Sequence, residues 1–171
     1  MTKGVSVTSA IITISGTTDE VVPGVMAQEQ IPLQLDILNR EVLLVYAIDL
    51  NVAAPSAISG TDTASNMSLS STSRTTIGNI GDTNVFSASI KQIRAAGFID
   101  GGVAFTQTSL DTPHSNALDY IGIISTNDFF VQVQGANNLT NVQGNWRMWC
   151  ARARVTADIY AALVQGETLS A

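Results

Sequence analysis

Short apolar–polar alternations recur along most of this chain, each closed by a turn signal, and that two-residue period constrains its fold more than any other feature. Successive side chains of an extended strand leave opposite faces, so period-two patterning marks strands with one face buried. Val5-Ser6-Val7-Thr8 opens the series and continues as Ile11-Ile12-Thr13-Ile14, stopping at Gly16. Ile31, Leu33, Leu35 and Ile37 share a second apolar face, with Gln34 and Asp36 opposite. Pro32 lacks a ladder donor, which places this strand at a sheet edge or puts Pro32 at its beginning. From Glu41 to Asn51 the run Val42-Leu43-Leu44-Val45-Tyr46-Ala47-Ile48 is nearly all apolar. It predicts a central strand covered on both faces, its β-branched and aromatic content favouring strand over buried helix.

Small residues and turn formers fill much of 53–83, within which weak alternation predicts a strand over Asn66–Thr75. After the turn Gly81-Asp82-Thr83-Asn84, Phe86, Ala88 and Ile90 alternate with Ser87, Ser89 and Lys91. Val103 and Phe105, Tyr120–Ile124 and Phe129–Gln134 mark three more strands. The last, Trp146–Ala157, sets Trp149, Ala151, Ala153 and Val155 on one face and Met148, Cys150, Arg152 and Arg154 on the other. Ile159–Val164 reads as a short terminal helix or as the continuation of that strand.

Eight or nine short strands with no strong amphipathic helix between them predict an all-β antiparallel β-sandwich, a jelly roll or an immunoglobulin-like fold. The immunoglobulin pattern needs two cysteines in a domain of about 100 residues. Cys150 is the only cysteine among 171 residues. The expectation is therefore an eight-stranded jelly roll forming one domain over residues 1–171, with no internal repeat, heptad pattern or dividing linker.

Composition narrows the chemistry. A chain of this length buries about two-thirds of its unfolded surface and needs no staple to fold. His114 is the only histidine, so triad or Cys–His catalysis would have to run through it. It stands in Asp111-Thr112-Pro113-His114-Ser115-Asn116, a turn-rich stretch that reads as a solvated loop. Gly97 and Gly101-Gly102 lack the spacing and ending of a phosphate loop. Asp82/Asn84 and Asn127/Asp128 could be read as Ca²⁺ loops, but turns favour these residues for backbone reasons alone. None of the 14 acids forms a pair that its surroundings set apart as a catalytic couple. No enzyme activity, metal or cofactor is expected. The apolar stretch Ala10–Ile14 is too short for a signal-peptide core, and no run approaches a membrane span. The expectation is a soluble protein made inside a cell.

The formal charge is −6, and only 13% of residues are charged. Five of the eight bases fall on two segments: Lys91 and Arg94 on one, Arg147, Arg152 and Arg154 on the other. If those strands are neighbours, a modest basic patch results. It is too weak for strong direct nucleic-acid binding, which scales with the phosphates neutralised. Pairing with the surplus acids is the expected use, and contacts between copies of the chain the next. Trp146 and Trp149 lie on opposite faces of the last strand, so only one can enter a given core. The outward one is expected under a loop, at an interface, or as a sugar-stacking surface. Candidate intersubunit contacts are therefore Trp146, Trp149, Lys91, Arg94, Arg147, Arg152 and Arg154.

In general texture the chain resembles a single-jelly-roll viral coat protein: the long apolar strand Val42–Leu50, the Ser/Thr-rich segment to Thr75, the run of short strands, and the extended strand Arg147–Ile159 near the C-terminus. The resemblance implies subunits that tile an icosahedral shell, with copies of the chain and other capsid proteins as partners. It implies a virion location after synthesis in a host cytoplasm. Many such coats carry a basic N-terminal arm, whereas the first 39 residues here hold only Lys3. In that respect the chain is most like the coats of small tailless DNA viruses of bacteria or archaea, where a packaging machine or an internal membrane handles the genome. Sparse charge suits a surface that is buried against its own copies. The loops Ala53–Asn66 and Thr106–Leu118 would then form surface or intersubunit contacts. The alternative is a lectin-like carbohydrate-binding module using an exposed tryptophan and Asp/Asn loops.

Overall fold

A computed structural model describes residues 3–97, 105–108 and 119–170. Among these, ten strands form two antiparallel sheets packed as a β-sandwich, with one α-helix at the C-terminal end. The strands are β1 (Val5–Val7), β2 (Ile12–Asp19), β3 (Ala27–Pro32), β4 (Glu41–Val52), β5 (Thr63–Ser70), β6 (Val85–Arg94), β7 (Phe105–Thr108), β8 (Gly122–Ile124), β9 (Asp128–Ala136) and β10 (Gln143–Val155); the helix α1 spans Ala157–Leu169. The first sheet runs β1-β10-β4-β8, with β2 also pairing β10 beyond β1; the second runs β3-β9-β5-β6-β7.

The main core lies between the sheets. Leu43, Val45, Ile48, Leu50, Met148 and Cys150 from the first sheet meet Met67, Leu69, Phe129, Val131 and Val133 from the second. A smaller cluster on the outer face of the first sheet joins Val42, Leu44, Ala153 and Val155 to Ile159, Tyr160 and Leu163 of α1. Glu167 anchors the far end of that helix, its carboxylate accepting from the Ser125 and Thr126 N–H groups at 3.1 and 3.0 Å. The terminal segment is thus a helix, and the strand continuation is set aside.

A β-bulge explains the unbroken apolar run of β4. Cys150 pairs with Val45 and Trp149 with Ala47, so Tyr46 is the extra residue. An extra residue inverts the alternation. Before it, Leu43 and Val45 face the core while Val42 and Leu44 face α1; after it, Ile48, Leu50 and Val52 face the core while Asp49 and Asn51 are exposed. The strand is central, and it is covered on both faces only in its first half.

Several boundaries differ from the sequence expectation. The second strand ends at Pro32, on the edge of its sheet, where the missing N–H costs no ladder bond. Leu33 and Leu35 are buried beyond it, but Gln34 takes φ 53° and Ile37 is exposed at a 3₁₀ turn, so the four residues share no strand face. β5 begins at Thr63, three residues before the expected Asn66, and ends at Ser70. The loop expected over Ala53–Asn66 therefore gives its last residues to a strand. Of Thr106–Leu118, Thr106 to Thr108 belong to β7; residues 109–118, with His114, lie outside the described residues, as does Val103.

In β6 the register places Ser87 opposite Leu69 and Ser89 opposite Met67, so these serines share the core-facing side, and Ala88, opposite Ser68, faces outward. A bulge between Leu69 and Ser70 turns Phe86 back to the core. Segment 71–84 covers that outer face of the second sheet, docked by polar groups. Gln132, fully buried, accepts from Ser68 Oγ at 2.7 Å and donates to Ser70 Oγ at 2.8 Å and Gln28 Oε1 at 2.9 Å. Gly78 and Arg74 donate backbone N–H groups to Ser68 Oγ and Gln28 Oε1.

Candidate functional site

The outer face of the first sheet has two halves. One lies under α1, as described. The other is open and polar, built from the solvent-facing positions of three adjacent strands. In register, Ser15 of β2, Arg147 of β10 and Asp49 of β4 form one row; Thr17, Asn145 and Asn51 form the next. Thr13, Trp149 and Ala47 form a third row, toward the helix. Cross-strand neighbours on one face stand about 4.5–5.5 Å apart at Cβ, so the six polar side chains share one surface. They line a depression of about 430 Å³.

Thr17 Oγ1 donates to Asn145 Oδ1 at 2.8 Å, and Lys91 Nζ reaches Asn51 Oδ1 at 3.2 Å from the other sheet. Both amide oxygens are engaged, and both residues are exposed. The Arg147 guanidinium lies over the Trp149 ring, 5.8 Å from its centroid, a cation–π contact that steadies the arginine beside the row.

The two tryptophans separate. Trp146 is 4% exposed and meets Phe129 edge-on, ring centroids 5.5 Å apart. Gly16 makes room for it: a Cβ there would stand 2.7 Å from Trp146 Cζ2. Trp149 is the outward, half-buried one.

The five bases do not gather into a patch, because Lys91 and Arg94 belong to the second sheet and the three arginines to the first. Arg152 pairs with Glu41 at 2.7 Å and donates to the carbonyls of Leu33 and Gln34, holding the irregular segment after β3. Arg94 pairs with Asp62 at 3.5 Å. Arg154 is exposed and lines a second depression, of about 310 Å³, with Arg40. The Asp/Asn turns have structural uses: Asp82 accepts from Arg74 and the Asn79 N–H, and Asn127 Oδ1 accepts from the Leu35 N–H at 2.6 Å.

The Ala96 and Ala95 N–H groups hold the Asp62 carboxyl below its ordinary 3.8. A depressed folded-state value stabilises the fold above pH 3.8, and that contribution is lost as pH falls through the folded value. Burial pushes the Cys150 thiol from 9.0 up to about 11. Thiolate is the reactive form, so Cys150 is expected to resist iodoacetamide in the native protein at pH 8 and to alkylate only after denaturation; mass spectrometry reads both states.

Sequence reading did not single out Ser15, Thr17, Asp49, Asn51 and Asn145. Their signal was the polar half of the alternation, which carries no address until strand neighbours are known. A scan of the chain against protein-family models finds no match, and a search against curated proteins finds none.

Proposed function

We propose that this chain is a structural coat subunit, a single jelly roll that self-associates into an icosahedral shell around a viral genome and does no catalysis. The fold assignment is supported by the pairing pattern. A jelly roll is one long antiparallel hairpin rolled up, so its first strand pairs the eighth, the second the seventh, and so inward. With β1 and β7 set aside as additions at the ends of the two sheet orders, β2 pairs β10, β3 pairs β9, β4 pairs β8 and β5 pairs β6. Each pair matches that scheme.

The observation that carries the assembly reading is the tip of the sandwich formed by the β2–β3 and β9–β10 connections. Val21 is 84% exposed and Leu139 is 77% exposed, with Val22 and Val25 also exposed. The backbone beneath them is fixed: the buried Glu20 carboxylate accepts N–H bonds from Gly24, Gly135 and Val142, and Asn141 donates to the Val21 carbonyl. Apolar side chains on a pre-ordered backbone suit association, since little entropy remains to be lost on contact. The low charge of the chain reduces the desolvation cost of burying such faces.

The double variant Val21→Asp, Leu139→Asp tests this. It is expected to convert assemblies to an 18.0 kDa monomer in size-exclusion chromatography with light scattering. Its melting temperature should stay within about 4 °C of wild type, because each exposed substitution stays within about 0.5 kcal/mol. Assemblies of unchanged size in that variant would overturn the tip's role.

A further inference from the structure

We infer that the open half of the first sheet's outer face is a binding site for a neutral saccharide. Asp49 offers two carboxylate oxygens, Arg147 a fork of N–H donors, and Asn51 and Asn145 their amide N–H groups. A sugar hydroxyl both donates and accepts, so a row that mixes carboxylate, amide and guanidinium suits vicinal hydroxyls.

Charge selects among polar ligands. Arg147 is drawn over Trp149 and Lys91 Nζ is held by Asn51 Oδ1, so Asp49 stands in the depression as a carboxylate with no ion pair among the described residues. A phosphate or a carboxylate would meet Asp49 as a like charge, whereas an uncharged polyol meets no such penalty. An extended peptide would add to a sheet edge through backbone bonds. This depression instead lies across β10, whose two sides are already paired by β2 and β4.

Size and surroundings fit a sugar of one or two rings. Ligand pockets span about 300–1,000 Å³, and this one holds about 430 Å³. Trp149 and Ala47 form the next cross-strand row toward the helix, just beyond the residues that line it. The Trp149 indole, with the Arg147 guanidinium over its ring, stands beside the polar row and reports on what binds Arg147. The backbone is rigid, because all three strands are hydrogen-bonded in register along the site. The inference stands on these residues alone and does not require the chain to assemble.

The test is a titration of the full-length protein with the methyl glycosides of glucose, galactose and mannose and with lactose and maltose. It is followed by two-dimensional ¹H–¹⁵N NMR at the two tryptophan indoles. A saturable shift of the Trp149 indole is expected for at least one sugar, with a dissociation constant of about 1 mM, the level at which a shallow single site operates. The Trp146 indole should stay fixed, because it lies in the core. Asp49→Ala and Asn145→Ala, both at exposed positions, should each weaken binding about tenfold or more, and Arg154→Ala, in the other depression, should leave it unchanged. Failure of all five sugars to shift Trp149 would overturn the inference. So would binding that survives in both Asp49→Ala and Asn145→Ala, or a response to glucuronic acid with none to the neutral sugars.

Discussion

Glu20→Gln is expected to lower the melting temperature by about 10 °C, although the change removes one charge and alters no shape. Glu20 is buried, with one carboxylate oxygen accepting from the Gly24 and Gly135 N–H groups and the other from Val142. A buried carboxylate with three backbone donors is a fully satisfied group, and bonds to charged groups are worth about 1.5–3 kcal/mol each. Glutamine turns one oxygen into a donor, so its amide N–H₂ must face either the Val142 N–H or the other two. The cost is about 3–5 kcal/mol, and each kcal/mol moves the midpoint by about 2–4 °C in a chain of this size. Differential scanning calorimetry at pH 7 measures it. A shift under 3 °C would mean that the tip is held by something other than this carboxylate.

Trp146→Ala should cost about 3–5 kcal/mol, the range for emptying a buried aromatic site, while Trp149→Ala should cost about 1 kcal/mol or less. Both residues lie on β10 three positions apart, and only their facing differs. Trp146 fills the space above Gly16 and against Phe129; Trp149 borders the open polar face. Trp146→Phe is the informative intermediate. It keeps part of the edge-on contact and removes Nε1, a buried N–H without a partner among the described residues, so it should cost well under the alanine change. Urea unfolding followed by fluorescence separates the three variants. Equal losses for the two alanine variants would contradict the inward and outward placement.

Much of the strand content was legible because period-two patterning needs only local sequence. β9 and β10 stand close to where Phe129–Gln134 and Trp146–Ala157 placed them, and Pro32 did mark an edge. The failures share one cause. The face a residue takes depends on bulges and on neighbours remote in sequence. Tyr46 inverts β4 midway, and Ser87 and Ser89 of β6 face the core while Ala88 faces outward. Leu33 and Leu35 looked like strand because burial alternates there, yet Arg152, 119 residues from Leu33 and 118 from Gln34, holds that segment through the carbonyls of those two residues. Of the open face, Arg147 and Trp149 were singled out. Asp49, Asn51 and Asn145 were not, because their grouping arises only when β2, β10 and β4 lie side by side.

Particle size tests most directly the proposed role of this chain as one of many identical subunits. Multi-angle light scattering with negative-stain microscopy on purified protein at 1 mg/mL and above is the measurement, made across low and high salt. Closed shells or regular capsomers far heavier than 18.0 kDa are expected, with the Val21→Asp, Leu139→Asp variant dispersed. A wild-type protein that stays an 18.0 kDa monomer under all those conditions would contradict it.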